Sequence, residues 1–137
     1  MSPRLAICFY GITRSLRHTL PSIEARAIAP ARAAGDVRIY THFFLQRRID
    51  RIRTGETGEL DLDEHRLLQP DWRELEEPDD CLATWDFDGL KRHGDFWEND
   101  FQSLRNLVHQ LHSMNRVTAA ARADGAQICL FLRPDLQ

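Results

Sequence analysis

Uninterrupted apolar runs alternate with helix-period stripes along this chain. Leu5-Ala6-Ile7-Cys8-Phe9-Tyr10 is apolar at every position, the pattern of a strand covered on both faces. Gly11 ends it, and Thr13 or Ser15 is placed to cap a following helix. Leu16, Leu20, Ile23 and Ala27 then recur at spacings of four, three and four, a single helical stripe. Pro21 and Pro30 interrupt it, which predicts a kinked or two-piece helix ending near Gly35. Val37-Arg38-Ile39-Tyr40-Thr41-His42-Phe43 reads as a second strand, rich in β-branched and aromatic residues. Residues 45–70 are polar and carry Gly55 and Gly58, a long loop with a short helix expected near residues 63–68. Residues 72–76 read as a third, edge strand. Phe101, Leu104, Leu107, Val108, Leu111, Met114, Val117 and Ala121 form the stripe of a long helix over residues 99–124. Asn99 and Gln102 resemble a capping box at its start, and Gly125 supplies its stop. Ile128-Cys129-Leu130-Phe131-Leu132 is again apolar throughout and ends in Arg133-Pro134-Asp135.

This pattern predicts an α/β fold. Strands near residues 4–10, 36–43 and 126–132 should be neighbours in one mostly parallel sheet, with helix 99–124 packed across it. The first and last of these strands should be covered on both faces. With 137 residues, 42% hydrophobic and 28% charged, the chain has the make-up of one globular domain spanning residues 1–137.

Charge and cysteine content narrow the function classes. A formal net charge of -3, with both signs mixed, argues against a nucleic-acid grip, which needs a basic face to displace counterions. No apolar run approaches the ~20 residues that span a bilayer, and the N-terminal run is too short and aromatic for a signal peptide. A cytoplasmic location is the expectation. Cys8, Cys81 and Cys129 are odd in number and widely spaced, which fits neither a disulfide framework nor a zinc knuckle. All three read as reduced and structural, with Cys81 in a polar, exposed stretch.

Ligands in open α/β sheets collect at the C-terminal edges of parallel strands. Gly11-Ile12-Thr13-Arg14 follows the first strand. A glycine there lets a phosphate approach the backbone, a helix N-terminus offers N–H groups, and Arg14 adds a forked cation. An ordinary strand-to-helix turn has the same residues, and the second and third glycines of a dinucleotide fingerprint are missing. Asp135, directly after the last strand, is placed either to hold a hard divalent cation against two phosphates or to be solvated in a surface loop. The pairs Asp61/Asp63 and Asp86/Asp88 follow no buried strand and match what thirteen aspartates give by chance. His109 and His112 lie three apart on the long helix without a third ligand nearby in sequence, so a solvated face is the reading. The acidic run Glu74, Glu76, Glu77, Asp79 and Asp80 reads as a solvated edge and loop. Asn106, Gln110 and Ser113 line up beside the apolar stripe, facing either a pocket or water.

Several segments together resemble a family of bacterial glycosyltransferase-like proteins of surface-polysaccharide gene clusters. They are Cys8-Phe9-Tyr10-Gly11-Ile12-Thr13-Arg14-Ser15-Leu16, Arg53-Thr54-Gly55-Glu56 and Gly94-Asp95-Phe96-Trp97. Along the long helix come Ser103-Leu104, Asn106-Leu107, Gln110-Leu111 and Ser113, then Leu132-Arg133-Pro134-Asp135-Leu136. The resemblance implies a GT-A-like, Rossmann-like sheet that takes a nucleotide sugar as donor, with manganese or magnesium as the usual helper and a glycan or lipid-linked acceptor of unknown identity. Carried over, Gly11, Thr13 and Arg14 would face the nucleotide or diphosphate, Asp135 would be the metal-side acid, and Gln110 and Ser113 would belong to the pocket. Arg133 stands where many relatives of the wider fold have another aspartate, so it joins the diphosphate-binding set. The chain stops two residues after Asp135, so the fold is expected to be truncated after a fourth strand, without an acceptor half or a recognisable catalytic residue. The rival expectation is a non-catalytic α/β domain that binds a nucleotide or partner protein through the same strand ends.

Overall fold

A computed structural model describes residues 2–51, 54, 55 and 57–135. Arg53, Glu56 and Leu136 of the resembling segments lie outside them. The chain forms β1 (Arg4–Gly11), α1 (Leu16–Ile23), α2 (Ala29–Ala34), β2 (Asp36–Phe44), β3 (Arg48–Asp50), β4 (Thr57–Glu59), β5 (Trp72–Glu76), α3 (Phe87–Leu90), α4 (Gln102–Ala123) and β6 (Ile128–Leu132). The main sheet has the order β5-β2-β1-β6, with every described pairing parallel. A four-stranded parallel sheet with helices on its faces is compatible with a Rossmann-like fold. Residues 72–76 are the edge strand anticipated, beside β2. None of the described helices is long and apolar enough to cross a membrane.

Two cores follow from the period-two alternation of the central strands. Ile7, Phe9, Ile39 and Phe43 point to one face, where Leu16, Ile23 and Ile28 of the first helical segment close over them. Ala6, Cys8 and Tyr40 point to the other, against Val117 and Ala121 of α4. Pro21 and Pro30 each lack the N–H that an α-helix needs. The chain between them takes a π-helical course over Glu24–Ile28 and runs on into α2, so the predicted two-piece helix is a continuous one with a widened middle.

Four expectations are corrected. β6 pairs along β1 alone and leaves Ile128 and Leu130 exposed, so it is an edge and is not covered on both faces. Neither the Thr13 nor the Ser15 side chain caps α1. Instead Glu64, from the 3₁₀ turn Glu64–Leu67, accepts the Arg17 N–H at 2.7 Å, setting a carboxylate at a helix N-terminus. At the start of α4, the Asn99 side chain bonds Ser103 and the Gln102 side chain reaches the Asp50 carbonyl, while Asp95 accepts the N–H groups of Asn99 and Phe101. The stripe of α4 is also turned from the apolar one. Val108, His112, Ser113, Val117 and Ala121 face inward, while Leu107 and Leu111 are half exposed. Within the polar loop, β3 and β4 pair as a small antiparallel hairpin.

Candidate functional site

From β1 the chain runs to β2 and β5 on one side, and it returns through β6 on the other. The order therefore reverses at the β1/β6 boundary, the crevice where open α/β sheets bind ligands. A cleft of about 480 Å³ opens there, lined by Gly11, Arg14, Arg51, Trp97, Gln110, Arg133 and Asp135 among others. Strand-end residues from β1 and from the turn after β6 thus meet at one sheet edge, as the parallel arrangement requires. Gly11 has φ +96°, with open space where a Cβ would stand, so the chain turns sharply and leaves its backbone accessible. Its N–H is already donated to Ser113 Oγ at 2.9 Å.

The turn after β6 is fixed. Thr19 of α1 donates its hydroxyl to Pro134 O, and Pro134 is fully buried. This sets Asp135 beside Arg14, which donates to Asp135 Oδ2 at 2.8 Å, while Arg133 donates to the same oxygen at 2.9 Å. With a side chain only 9% accessible, Asp135 is not a solvated loop residue. It orients two guanidiniums at the cleft wall. A single carboxylate already shared by two arginines is a poor donor set for manganese or magnesium, which are held through several free oxygens. Three guanidiniums face the cleft against that one carboxylate among the described lining residues. An anionic ligand suits such a wall.

Thr13 and Ser113 stand apart from the other predicted residues. Thr13 lines a small hollow with Phe43 and His65 on the other side of the turn. Ser113 is wholly buried under Gly11 and supports the cleft floor from beneath. Gln110 and Asn106 do line the cleft. Cys81, expected to be exposed, is buried, and burial pushes its thiol above the ordinary range. Cys8 is pushed up to about 12, mainly by burial. All three cysteines are free thiols.

Behind the cleft lies a polar cluster. The β2–β5 register puts His42 opposite Glu74 and Phe44 opposite Glu76, and these side chains face α4. His42 Nε2 lies 2.5 Å and His112 Nε2 2.7 Å from Glu76 Oε2. The Trp85 indole N–H, which can only donate, points at His112 Nδ1 from 2.9 Å. His112 therefore carries its hydrogen on Nε2 and gives it to Glu76. Burial pushes His42 towards the neutral form, against the pull of Glu76. Burial also pushes Glu76 up, but the bonds from His42 and His112 outweigh it and leave the carboxyl below its ordinary range. One turn along α4, Arg116 makes a forked pair with Glu74. The ligand-type atoms of His42, Glu76 and His112 all lie within 4.8 Å of one another, so the three can hold a metal ion.

The solvated-helix reading of His109 and His112 is thus corrected, and so is the solvated-edge reading for Glu74 and Glu76, while Glu77, Asp79 and Asp80 are exposed as that reading expects. Glu77 pairs with Arg47, and Asp79 lies 3.3 Å from His109. The signal available in sequence was the i, i+3, i+4, i+7 spacing of His109, His112, Ser113 and Arg116. It places four polar groups on one helix face, and a single solvated stripe has the same look. No family model, curated protein or solved structure matches the chain.

Proposed function

We propose that the cleft binds the diphosphate of a nucleotide-sugar donor, and that the chain is the donor-binding part of a GT-A-like glycosyltransferase of bacterial surface-polysaccharide synthesis. The observation that carries this reading is the gathering of Arg14, Arg51 and Arg133 around the accessible backbone of Gly11 at the strand-order reversal. Guanidiniums pair with phosphate oxygens bidentately and keep their charge at any working pH. Trp97 and Phe44 add aromatic surface to the same wall, on which a nucleobase can stack. Gln110 and Asn106 offer hydrogen bonds to hydroxyl groups. The sugar-transfer part of the reading rests on the resemblance of the strand-end and helix segments.

A second reading, a non-catalytic nucleotide-binding domain, is favoured by one feature. Asp135 is the one carboxylate among the described lining residues, and two arginines hold it. Calorimetric titration with UDP and GDP, against uridine and guanosine, tests the shared core of both readings. The diphosphates should bind and the nucleosides should not. Arg14→Ala should weaken diphosphate binding by ~1–3 kcal/mol, the range for a hydrogen bond to a charged group. Equal binding of nucleosides, or an unchanged affinity in a folded Arg14→Ala protein, overturns the site. Release of sugar from a nucleotide-sugar donor separates the enzyme from the binding domain.

A further inference from the structure

His42 is held at both of its ring nitrogens. Its Nδ1 lies 2.6 Å from Ser113 Oγ, while the Ser113 hydroxyl donates to the His42 carbonyl at 3.0 Å. A hydroxyl has one hydrogen, which can turn from that carbonyl to Nδ1. On the other side, Nε2 meets a carboxylate oxygen at 2.5 Å, which accepts. A neutral imidazole has a single N–H, so it goes either to Glu76, with Nδ1 accepting from Ser113, or to Ser113, with the Nε2 lone pair left facing Glu76 and His112. An electron-pair acceptor at Nε2 selects the second arrangement: Nδ1–H goes to Ser113, and the Nε2 lone pair goes to the ion. A histidine that ligates a metal through one nitrogen and donates its other N–H to a fixed acceptor has this arrangement.

We propose that Nε2 of His42, Nε2 of His112 and the carboxylate of Glu76 bind one divalent first-row transition metal ion of the zinc class, and that loading releases the Trp85 indole from His112. Two imidazoles and one carboxylate select zinc and its neighbours over magnesium or calcium, which take oxygen donors. Bond lengths of about 2.0–2.1 Å in a tetrahedral site put ligand atoms about 3.3 Å apart. The contacts of 2.5 and 2.7 Å then open by less than about 1 Å each. At His112 the hydrogen moves from Nε2 to Nδ1, where the Trp85 N–H now points, and two donors cannot share that position. Trp85 is 43% exposed and sits in a run of turns, so its side chain has room to swing away. The Phe44 ring lies 5.1 Å from His42 and 6.2 Å from His112 and also lines the cleft. The ion therefore sits behind the cleft wall and ties β2, β5 and α4 together, independently of what the cleft binds.

The test is titration of chelator-treated protein with zinc, with cobalt as an optical probe and magnesium as the control. One equivalent of zinc should bind and raise the melting temperature, and cobalt should develop a visible ligand-field spectrum. Tryptophan emission should change on loading in the wild type but not in Trp85→Phe. Trp85→Phe removes the competing donor and should bind zinc about two- to tenfold more tightly, the equivalent of one neutral hydrogen bond. His42→Gln and His112→Gln should each lose more than the ~10–100-fold that follows from disturbing a ligand's partner alone, whereas His109→Gln should keep the wild-type affinity. Zinc that raises the melting temperature no more than magnesium overturns the site in the wild type alone, whether or not the histidine variants fold. Retained affinity in folded His42→Gln or His112→Gln also overturns it, and a Trp85→Phe protein that binds no more tightly removes the indole from the loading step.

Discussion

At Ser113 a hydroxyl sits under the end of β1, accepting the Gly11 N–H at 2.9 Å and meeting His42 at both its Nδ1 and its carbonyl. The side chain is small enough for α4 to lie close over the strand ends, and it is fully buried. It joins the glycine turn on the cleft side to the imidazole on the far side. Ser113→Ala leaves the Gly11 N–H and the His42 Nδ1 without their partner, and a buried polar group left unpaired costs ~1–3 kcal/mol. Urea unfolding should show a loss in that range. A change within about 0.5 kcal/mol, the size of an ordinary surface substitution, would show that the hydroxyl does not hold the turn. Asp135 presents the other residue-scale lesson. A carboxylate after a strand looked equally suited to a cation or to water, and the two arginines that it holds are partners that its position in sequence did not announce.

Among the elements, β1 and α4 show what can be read from the chain and what cannot. β1 was legible because Ala6, Ile7, Cys8 and Phe9 are all buried, and an unbroken apolar run has few other uses. β6 has the same composition, but composition does not say whether a strand lies on each side, and among the described residues only β1 pairs with it. The extent of α4 was legible from its three- and four-residue spacing; its rotation was not. Periodicity counts apolar side chains and is blind to the partners that polar ones find on other elements. His112 and Ser113 turn inward because Glu76 and His42 wait there, 36 and 71 residues away along the chain. Only the β2–β5 register brings these groups together, and no local pattern encodes it. That Gly11, Arg14, Arg133 and Asp135 line one cleft was legible because each ends or follows a strand, and parallel strands end on the same side. The rotation of α4 can be tested by a pair of truncations. Val117→Ala should cost about 2 kcal/mol, from lost burial and the cavity left behind. Leu111→Gln, on the half-exposed side, should stay within about 0.5 kcal/mol. Equal losses in denaturant unfolding would restore the apolar-stripe orientation.

Across the whole molecule, several imidazoles are held neutral inside a chain that is otherwise mildly acidic. Two of them lie outside the His42–Glu76–His112 cluster. His65 is pushed down by burial first and then by Arg73 and Arg66, with Asp63 and Asp61 pulling the other way. His109 is pushed down by burial, against Asp79, with Arg105 and His112 adding to the fall. Both have folded-state values below the ordinary 6.5. Below pH 6.5 the unfolded chain therefore takes up protons that the folded chain refuses. Stability rises with pH wherever the unfolded state binds more protons, so this contribution is complete above about 6.5 and is lost as pH falls through the lower folded values. The fold should accordingly resist urea equally well at pH 7 and pH 8 and lose resistance steadily between pH 6.5 and pH 5, before most carboxylates titrate. His65→Gln, which cannot take up a proton, should flatten part of that slope in the presence of chelator. A wild-type midpoint that stays level from pH 8 to pH 5 would mean that His65 and His109 are protonated in the folded chain as readily as in the unfolded one, and that their burial does not exclude the charge.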